Sequence, residues 1–324
     1  MAPKSAKKQH SAKNPQRNRQ KPNANRGATA DTRGRHNSAK RPAQSGNIGH
    51  VGGKTAPKPP QNGYFIWGRH AVFAALANPD RRIQQLYITS DSAEALEAVM
   101  TDLSTQRQAE LPTPQVIERT RLDIIGDAGE KAVHQGIAAA VWPLDPPHLD
   151  DFLANLATSL GSDSDQQPAQ PVRLLLLDQL SDPRNVGAIM RSARAFGVVA
   201  LITTFRNAAE ENGVLARTAS GAMDHVPLIR VVNLARAIEQ LQDHGFLVAG
   251  LAGEGDVEVR ALGAHQRLAI MLGAEGSGLR RLSRDRCDML VRINIDENAD
   301  SLNVSNAAAI ALYAASLYKP NQSK

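Results

Sequence analysis

Hydrophobic and polar positions change rhythm near residue 64. Before it the chain shows no apolar period: residues 1–60 contain Ile48 and Val51 but no other branched aliphatic, and no Phe, Tyr or Trp. After it, short aliphatic or aromatic runs alternate with stretches whose apolar residues recur at helical spacing. Residues 64–67 predict a strand, 69–77 a helix, 85–89 a strand and 93–103 a helix, with another strand near Val116. Gly136 to Trp142 closes this segment as a strand, and the alternation predicts a small α/β domain. Pro143, Pro146 and Pro147 end it. One short helical stretch follows, and then residues 161–171 have linker composition.

A second α/β pattern begins at Val172. Leu174 to Leu177 is an unbroken aliphatic run, as expected of a strand buried on both faces. Further strands are predicted at 198–203, 228–232, 246–251, 268–272 and 290–295, with helices between most of them. That order predicts a doubly wound parallel sheet, in which ligands sit at the carboxyl ends of the strands. The Ala-rich stretch 301–318 predicts a buried helix and not a membrane span, because it carries Ser and Asn. The expected division is a disordered tail at 1–60, a small domain at 61–143, a linker at 144–172 and a larger domain at 173–324.

Charge sharpens that division. The 324 residues carry a net +6, but residues 1–60 hold eight lysines and six arginines against one acid, Asp31, for a net +13. The remainder holds 24 basic and 31 acidic side chains, a net −7. A segment so basic and so poor in apolar residues cannot offset its ordering entropy and is expected to be disordered. It suits RNA phosphate through counterion release, or serves as a solubilising tail. No apolar run follows the basic start, so no secretory signal is expected, and the amphipathic pattern of a transit peptide is missing. The single cysteine, Cys287, rules out an intramolecular disulfide and a CxxC zinc site, and fits a reducing, cytoplasmic location. With 12 aromatic residues in all, a surface built mainly of base-stacking rings is disfavoured.

Three loops carry candidate chemistry. The first, Asp178 to Arg191, leaves the aliphatic strand, turns at Asp182-Pro183 and enters a helix. That helix has an apolar face of Val186, Ile189, Met190, Ala193 and Phe196; Arg184, Arg191 and Arg194 occupy the other side, Arg194 as part of a solvated face. The second, Met271 to Gly278, is a strand followed by a glycine-rich loop whose backbone N–H groups can approach a ligand. It is neither the dinucleotide fingerprint nor a P-loop. Glu275 at its centre could face a ligand or act on the dipole of the next helix. The third, Asp300 to Ser305, opens the Ala-rich helix, with Ser301 as the expected N-cap and Asn303 without an evident structural role. No GxSxG elbow, HExxH or clustered carboxylate pair supports a hydrolase.

As an ordered set, these loops resemble the three motifs of the SpoU (TrmH-like) family of RNA 2′-O-ribose methyltransferases. The matching residues are Asp182-Pro-x-Asn185-x-Gly187 with Arg191-x-Ala-x-x-Phe-Gly197, then Gly273-Ala-Glu275-Gly276-x-Gly278, then Ser301-Leu-Asn303-Val-Ser305. Trp67-Gly-Arg-His-Ala-Val72 and His134-Gln-Gly136 resemble the small L30e-like substrate-binding domain of the bacterial members that methylate a guanosine of 23S rRNA. The resemblance implies a trefoil-knotted (SPOUT-type) domain at 173–324, although knots are rare exceptions to chain topology. It also implies S-adenosylmethionine held by Gly273, Ile293 and Leu302, and no metal.

Its further implications are a homodimer with motif-one residues supplied across the interface, and 23S rRNA or a ribosomal assembly particle as partner. Arg191 is then the candidate for activating the 2′-hydroxyl, with Asn185, Glu275, Ser301 and Asn303 orienting the arginine and the nucleotide. The chain departs from the family where Ile-Pro-Met-x-Gly usually precedes motif three: here it reads Ile293-Asn-Ile-Asp-Glu297. The alternatives are a methyltransferase acting on tRNA or another rRNA nucleotide, and a non-catalytic RNA-binding assembly factor.

Overall fold

The computed structural model describes residues 57–126, 132–159 and 171–317, so most of the expected basic tail and much of the expected linker lie outside the described residues. In the first segment, β1 (Tyr64–Trp67), β2 (Ile83–Ile88), β3 (Gln115–Val116) and β4 (Ile137–Val141) form a sheet in the order β1-β4-β2-β3. β4 lies antiparallel to both β1 and β2, and all five of its residues are buried. The helices expected here are α1 (Arg69–Ala77) and α2 (Ala93–Asp102). Two more, α3 (Thr105–Glu110) and α4 (Arg119–Leu122), escape an apolar-period reading. α3 has no apolar stripe; it is docked by Arg107, whose guanidinium donates to the carbonyls of Leu76, Ala75 and Arg81.

The prolines are followed by α5 (Leu149–Ser159). The second sheet then comprises β5 (Val172–Asp178), β6 (Val198–Thr204), β7 (Leu228–Val231), β8 (Leu247–Leu251), β9 (Val257–Glu258), β10 (Arg267–Gly273) and β11 (Met289–Arg292). All its pairings are parallel, in the order β7-β6-β5-β10-β8-β11-β9. The two-residue β9 is too short to leave a period in the sequence. β11 stops at Arg292, short of the expected Ile295, because Asn294 and Asp296 bond locally instead of extending the ladder. Asn294 Oδ1 accepts from Arg292 Nε at 3.1 Å, and Asp296 Oδ1 accepts from Asn298 N at 2.9 Å.

The leucine run of β5 splits by parity between two cores, as strand geometry requires. Leu175 and Leu177 join Val186, Ile189 and Met190 of α6 (Pro183–Ala195), Leu215 of α7 (Gly213–Ala219), and Ala308, Ala311 and Leu312 of α10 (Val304–Ser316). Leu174 and Leu176 face Leu234, Ile238 and Leu241 of α8 (Leu234–Asp243) together with Leu149 and Leu153 of α5. α5 therefore packs on the second sheet although it falls inside the stretch expected as linker. The expectation of a buried carboxyl-terminal helix needs correction: α10 buries one face, while Ile310, Tyr313 and the following Leu317 are exposed. Alanine's small side chain packs α10 against the sheet without covering its outer side. Among the described residues no helix is long and apolar enough to cross a membrane.

A polar network ties the first sheet to the second. Arg81 is fully buried and donates from Nε to Asp224 Oδ1 at 2.7 Å, and from Nη1 to the Tyr64 hydroxyl at 3.1 Å. The Tyr64 hydroxyl donates to Glu211 Oε2 at 3.3 Å, and Asn78 Nδ2 to Asp224 Oδ1 at 3.2 Å. Burial raises the pKa of both Tyr64 and Glu211. Removing one partner of a buried pair leaves an uncompensated charge, at a cost of about 3–5 kcal/mol. Arg81→Ala should therefore lower the melting temperature by several degrees, and Asp224→Asn should do so less. Unchanged melting of Arg81→Ala would show that the network contributes nothing to stability.

Candidate active site

The three loops meet at the carboxyl ends of β5 and β10. Asp178 at the end of β5 is fully buried; it accepts from Arg280 N at 3.1 Å and from Arg280 Nε at 2.7 Å. This pair joins the first loop to the second, and a charge ending an aliphatic run was the sequence signal for it. Asp182 caps α6, its side chain accepting the Arg184 N–H at 2.9 Å, and Pro183 occupies the first turn. That cap places Asn185 in the first turn, over the sheet edge.

The second loop folds back on itself. An isolated bridge pairs Ala274 with Gly278, whose N–H bonds the Ala274 carbonyl at 2.9 Å. A β-carbon on Gly273 would stand 2.2 Å from the Gly278 carbonyl carbon and 2.4 Å from Leu279 N, so only glycine fits. The turn projects Glu275 outward. The following helix, α9 (Arg281–Arg284), begins six residues later, which removes the helix-dipole role considered for Glu275.

In the third loop the N-cap is Asn303, not Ser301. Its Oδ1 accepts the Ser305 N–H at 2.9 Å, and Val304 is the first helical residue. Asn303 thus has the structural role its position did not suggest, and it has a second one. Its Nδ2 donates to Glu275 Oε1 at 2.7 Å and to Asn185 Oδ1 at 3.0 Å, while Asn185 Nδ2 donates to Glu275 Oε1 at 3.0 Å. One residue from each loop therefore forms a closed, exposed cluster.

Beside it lies a cleft of about 750 Å³ lined by Gly273, Glu275, Ile293, Ser301, Leu302 and Asn303 among others. Leu251, Leu272 and Val304 give it apolar wall, and the backbone of residues 273–278 gives polar groups. Glu254 and Arg284, paired with each other at the cleft, were not anticipated. The replaced segment after Ile293 keeps a defined turn, because Asp296 accepts both the backbone and the amide N–H of Asn298 at 2.9 Å, and these bonds hold its carboxyl below its usual range. Burial pushes the Cys287 thiol up to about 12, so it is a neutral packing group. Among the described residues no group of His, Cys, Asp and Glu is placed to hold a metal ion.

Arg191 is not brought to this cleft. It lies on α6 six residues beyond Asn185, and a helix turning about 100° per residue sends the two side chains to different faces. The Arg191 side chain is exposed and has no hydrogen bond to the cluster among the described residues.

A family profile described as the SpoU rRNA Methylase family matches residues 173–313, and one described as RNA 2′-O ribose methyltransferase substrate binding matches residues 65–147. The 23S rRNA (guanosine-2′-O-)-methyltransferase RlmB of Escherichia coli K12 is 38% identical over 252 residues, covering 78% of this chain and 97% of that protein. The chain belongs to the SpoU rRNA methylase family. The RlmB of Vibrio vulnificus is 36% identical over 254 residues, covering 78% of this chain and 95% of its own. The SpoU methyltransferase AviRb of Streptomyces viridochromogenes, solved in complex with AdoMet, superposes with a TM-score of 0.59 at 21% identity over 79% of this chain and 90% of that one. At that identity the likeness concerns the fold, and it supports the expected SpoU architecture. The resemblance read from the three loops is borne out.

Proposed function

We propose that this SpoU-family chain transfers a methyl group from S-adenosylmethionine to the ribose 2′-hydroxyl of a guanosine in 23S rRNA, free or within an assembling ribosomal particle in the cytoplasm. The observation that carries the reading is that similarity to the Escherichia coli enzyme extends through both domains to 97% of that protein. Residues 61–143 hold the RNA and residues 173–324 the chemistry. S-adenosylmethionine contributes a methyl group already activated on a positively charged sulfur. Gly273, with the backbone of its loop, and the apolar side chains of Ile293 and Leu302 hold the cofactor in the 750 Å³ cleft. The trefoil knot implied by the resemblance would shape that cleft.

The chain's own task is then to orient the ribose and to stabilise the alkoxide that develops as the 2′-hydroxyl proton passes to solvent water. Glu275 is fixed by two amide donors and, with Asn185, Asn303 and Ser301, positions the nucleotide. Arg191 activates the hydroxyl. Its planar guanidinium offers charge-assisted donors, so its contribution is to hold phosphate and to stabilise the developing alkoxide. Its exposed position on a different face of α6 from Asn185 supports a homodimer in which the partner's Arg191 completes each cleft.

The test is transfer of labelled methyl from S-adenosylmethionine to rRNA lacking ribose methylations, with the product nucleotide identified. 2′-O-methylguanosine in 23S rRNA is expected. A methylated tRNA, or RNA binding without any transfer, would replace this reading. In the same assay, removal of residues 1–60 should leave the product unchanged but raise the KM for RNA and flatten its salt dependence.

A further inference from the structure

Two stretches singled out in the sequence, 67–72 and 134–136, meet on the small domain. With neighbouring segments they line a second cleft, of about 320 Å³, that shares no lining residue with the first. Its polar wall comprises Arg69, Asp91, Arg119 and Gln135 together with the hydroxyl-bearing Thr89 and Ser92. His134 holds the adjoining turn from below the surface: its ring is 2% exposed, with Nε2 2.9 Å from Asp123 Oδ1, and Nδ1 accepts the Gly136 N–H at 2.9 Å. This holds Gln135 and Gly136 at φ 50° and 81°, and a β-carbon on Gly136 would stand 2.1 Å from Ser92 Oγ.

Gln135 Oε1 accepts the Arg69 N–H at 3.0 Å, which fixes its side chain and leaves its amide N–H groups to donate. The Arg69 and Arg119 side chains are exposed and have no ion-pair partner among the described residues. Two free guanidiniums and one carboxylate thus converge on a concave site held by a buried histidine and a strained turn, a combination the packing of the domain does not require.

We propose that this cleft receives one unstacked guanine nucleotide of the substrate RNA, distinct from the nucleotide methylated, and so sets where the RNA sits. The inference rests on the reading of the chain as an enzyme acting on RNA. The volume lies at the lower end of ligand clefts, about 300–1,000 Å³. Sequence-specific RNA recognition takes splayed-out bases and reads their edges. A carboxylate such as Asp91 only accepts, and guanine alone presents two adjacent donors, N1–H and N2–H, to it. Adenine and cytosine place a ring-nitrogen acceptor there, and uracil offers a single donor. Guanine O6 and N7, or the nucleotide's phosphate, accept from Arg69 and Arg119.

Fluorescence anisotropy with the full chain tests this, using labelled RNA hairpins that carry one bulged G or one bulged A, at salt high enough to suppress attraction by the basic tail. The unmodified protein should favour the bulged G at least ten-fold. Asp91→Asn should erase that preference, and Arg69→Ala combined with Arg119→Ala should weaken G-bulge binding at least ten-fold with unchanged melting temperature. Equal binding of the two hairpins, or a preference that survives Asp91→Asn, overturns the proposal. If rRNA is not methylated at all, the reading of the reaction fails while the hairpin comparison still decides the cleft. Normal methylation without a G preference defeats the cleft alone.

Discussion

Arg191→Ala should reduce methyl transfer by roughly 10²–10³-fold, the range for losing a donor that stabilises transition-state charge. The side chain is exposed, so melting temperature and S-adenosylmethionine affinity should stay close to those of the unmodified protein. Arg191→Lys should recover only part of the rate, because a point charge cannot replace the planar, bidentate fork. The more telling measurement uses mixed dimers. In a heterodimer of Arg191→Ala with Glu275→Ala, one cleft has an intact Asn185–Glu275–Asn303 cluster and faces a subunit that retains its arginine. Activity well above that of either mutant homodimer is expected. If the heterodimer is as inactive as its parents, Arg191 acts within its own chain and α6 must rearrange when RNA binds.

Gly273→Ala should cost at least two orders of magnitude in S-adenosylmethionine affinity. The added carbon would meet the Gly278 carbonyl carbon at 2.2 Å, its oxygen at 2.4 Å and Leu279 N at 2.4 Å, all backbone atoms of the loop lining the cleft. A flexible side chain could swing aside, but here the bridge between Ala274 and Gly278 has to open. Overpacking of this kind costs about 1–3 kcal/mol, which a domain with two large cores should survive. The readouts are calorimetric titration with S-adenosylmethionine and the ligand-induced rise in melting temperature, which should vanish in the variant. A folded Gly273→Ala protein that binds the cofactor like the unmodified one would show that the loop is not its seat.

How much of the site was legible depended on whether each residue's partner was near in sequence. α6 could be read because its apolar positions repeat every three or four residues and its Asp-Pro start is local chemistry. Glu275 and Asn303 were singled out in their loops but took a functional role only from the resemblance, and their local readings failed. The N-cap moved from Ser301 to Asn303 because cap geometry is decided by where the chain turns into the helix, not by which hydroxyl comes first. Asp178 with Arg280, and Arg81 with Asp224, are ion pairs between residues 102 and 143 positions apart, and no window of sequence contains both partners.

The amino-acid sequence by itself determined the two α/β segments, the aliphatic strand at the centre of the second sheet, the basic character of residues 1–60 and the family. Each of these follows from short-range periodicity, composition or an ordered motif. Only the tertiary structure decided that Asn185, Glu275 and Asn303 close into one hydrogen-bonded cluster, that Arg191 points elsewhere, and that the turn at Gln135 docks against Arg69 to form a second cleft. Parallel strands need long crossovers, so residues that share the carboxyl edge of the sheet come from distant parts of the chain. Their meeting is a property of strand order, which hydrophobic patterning leaves open.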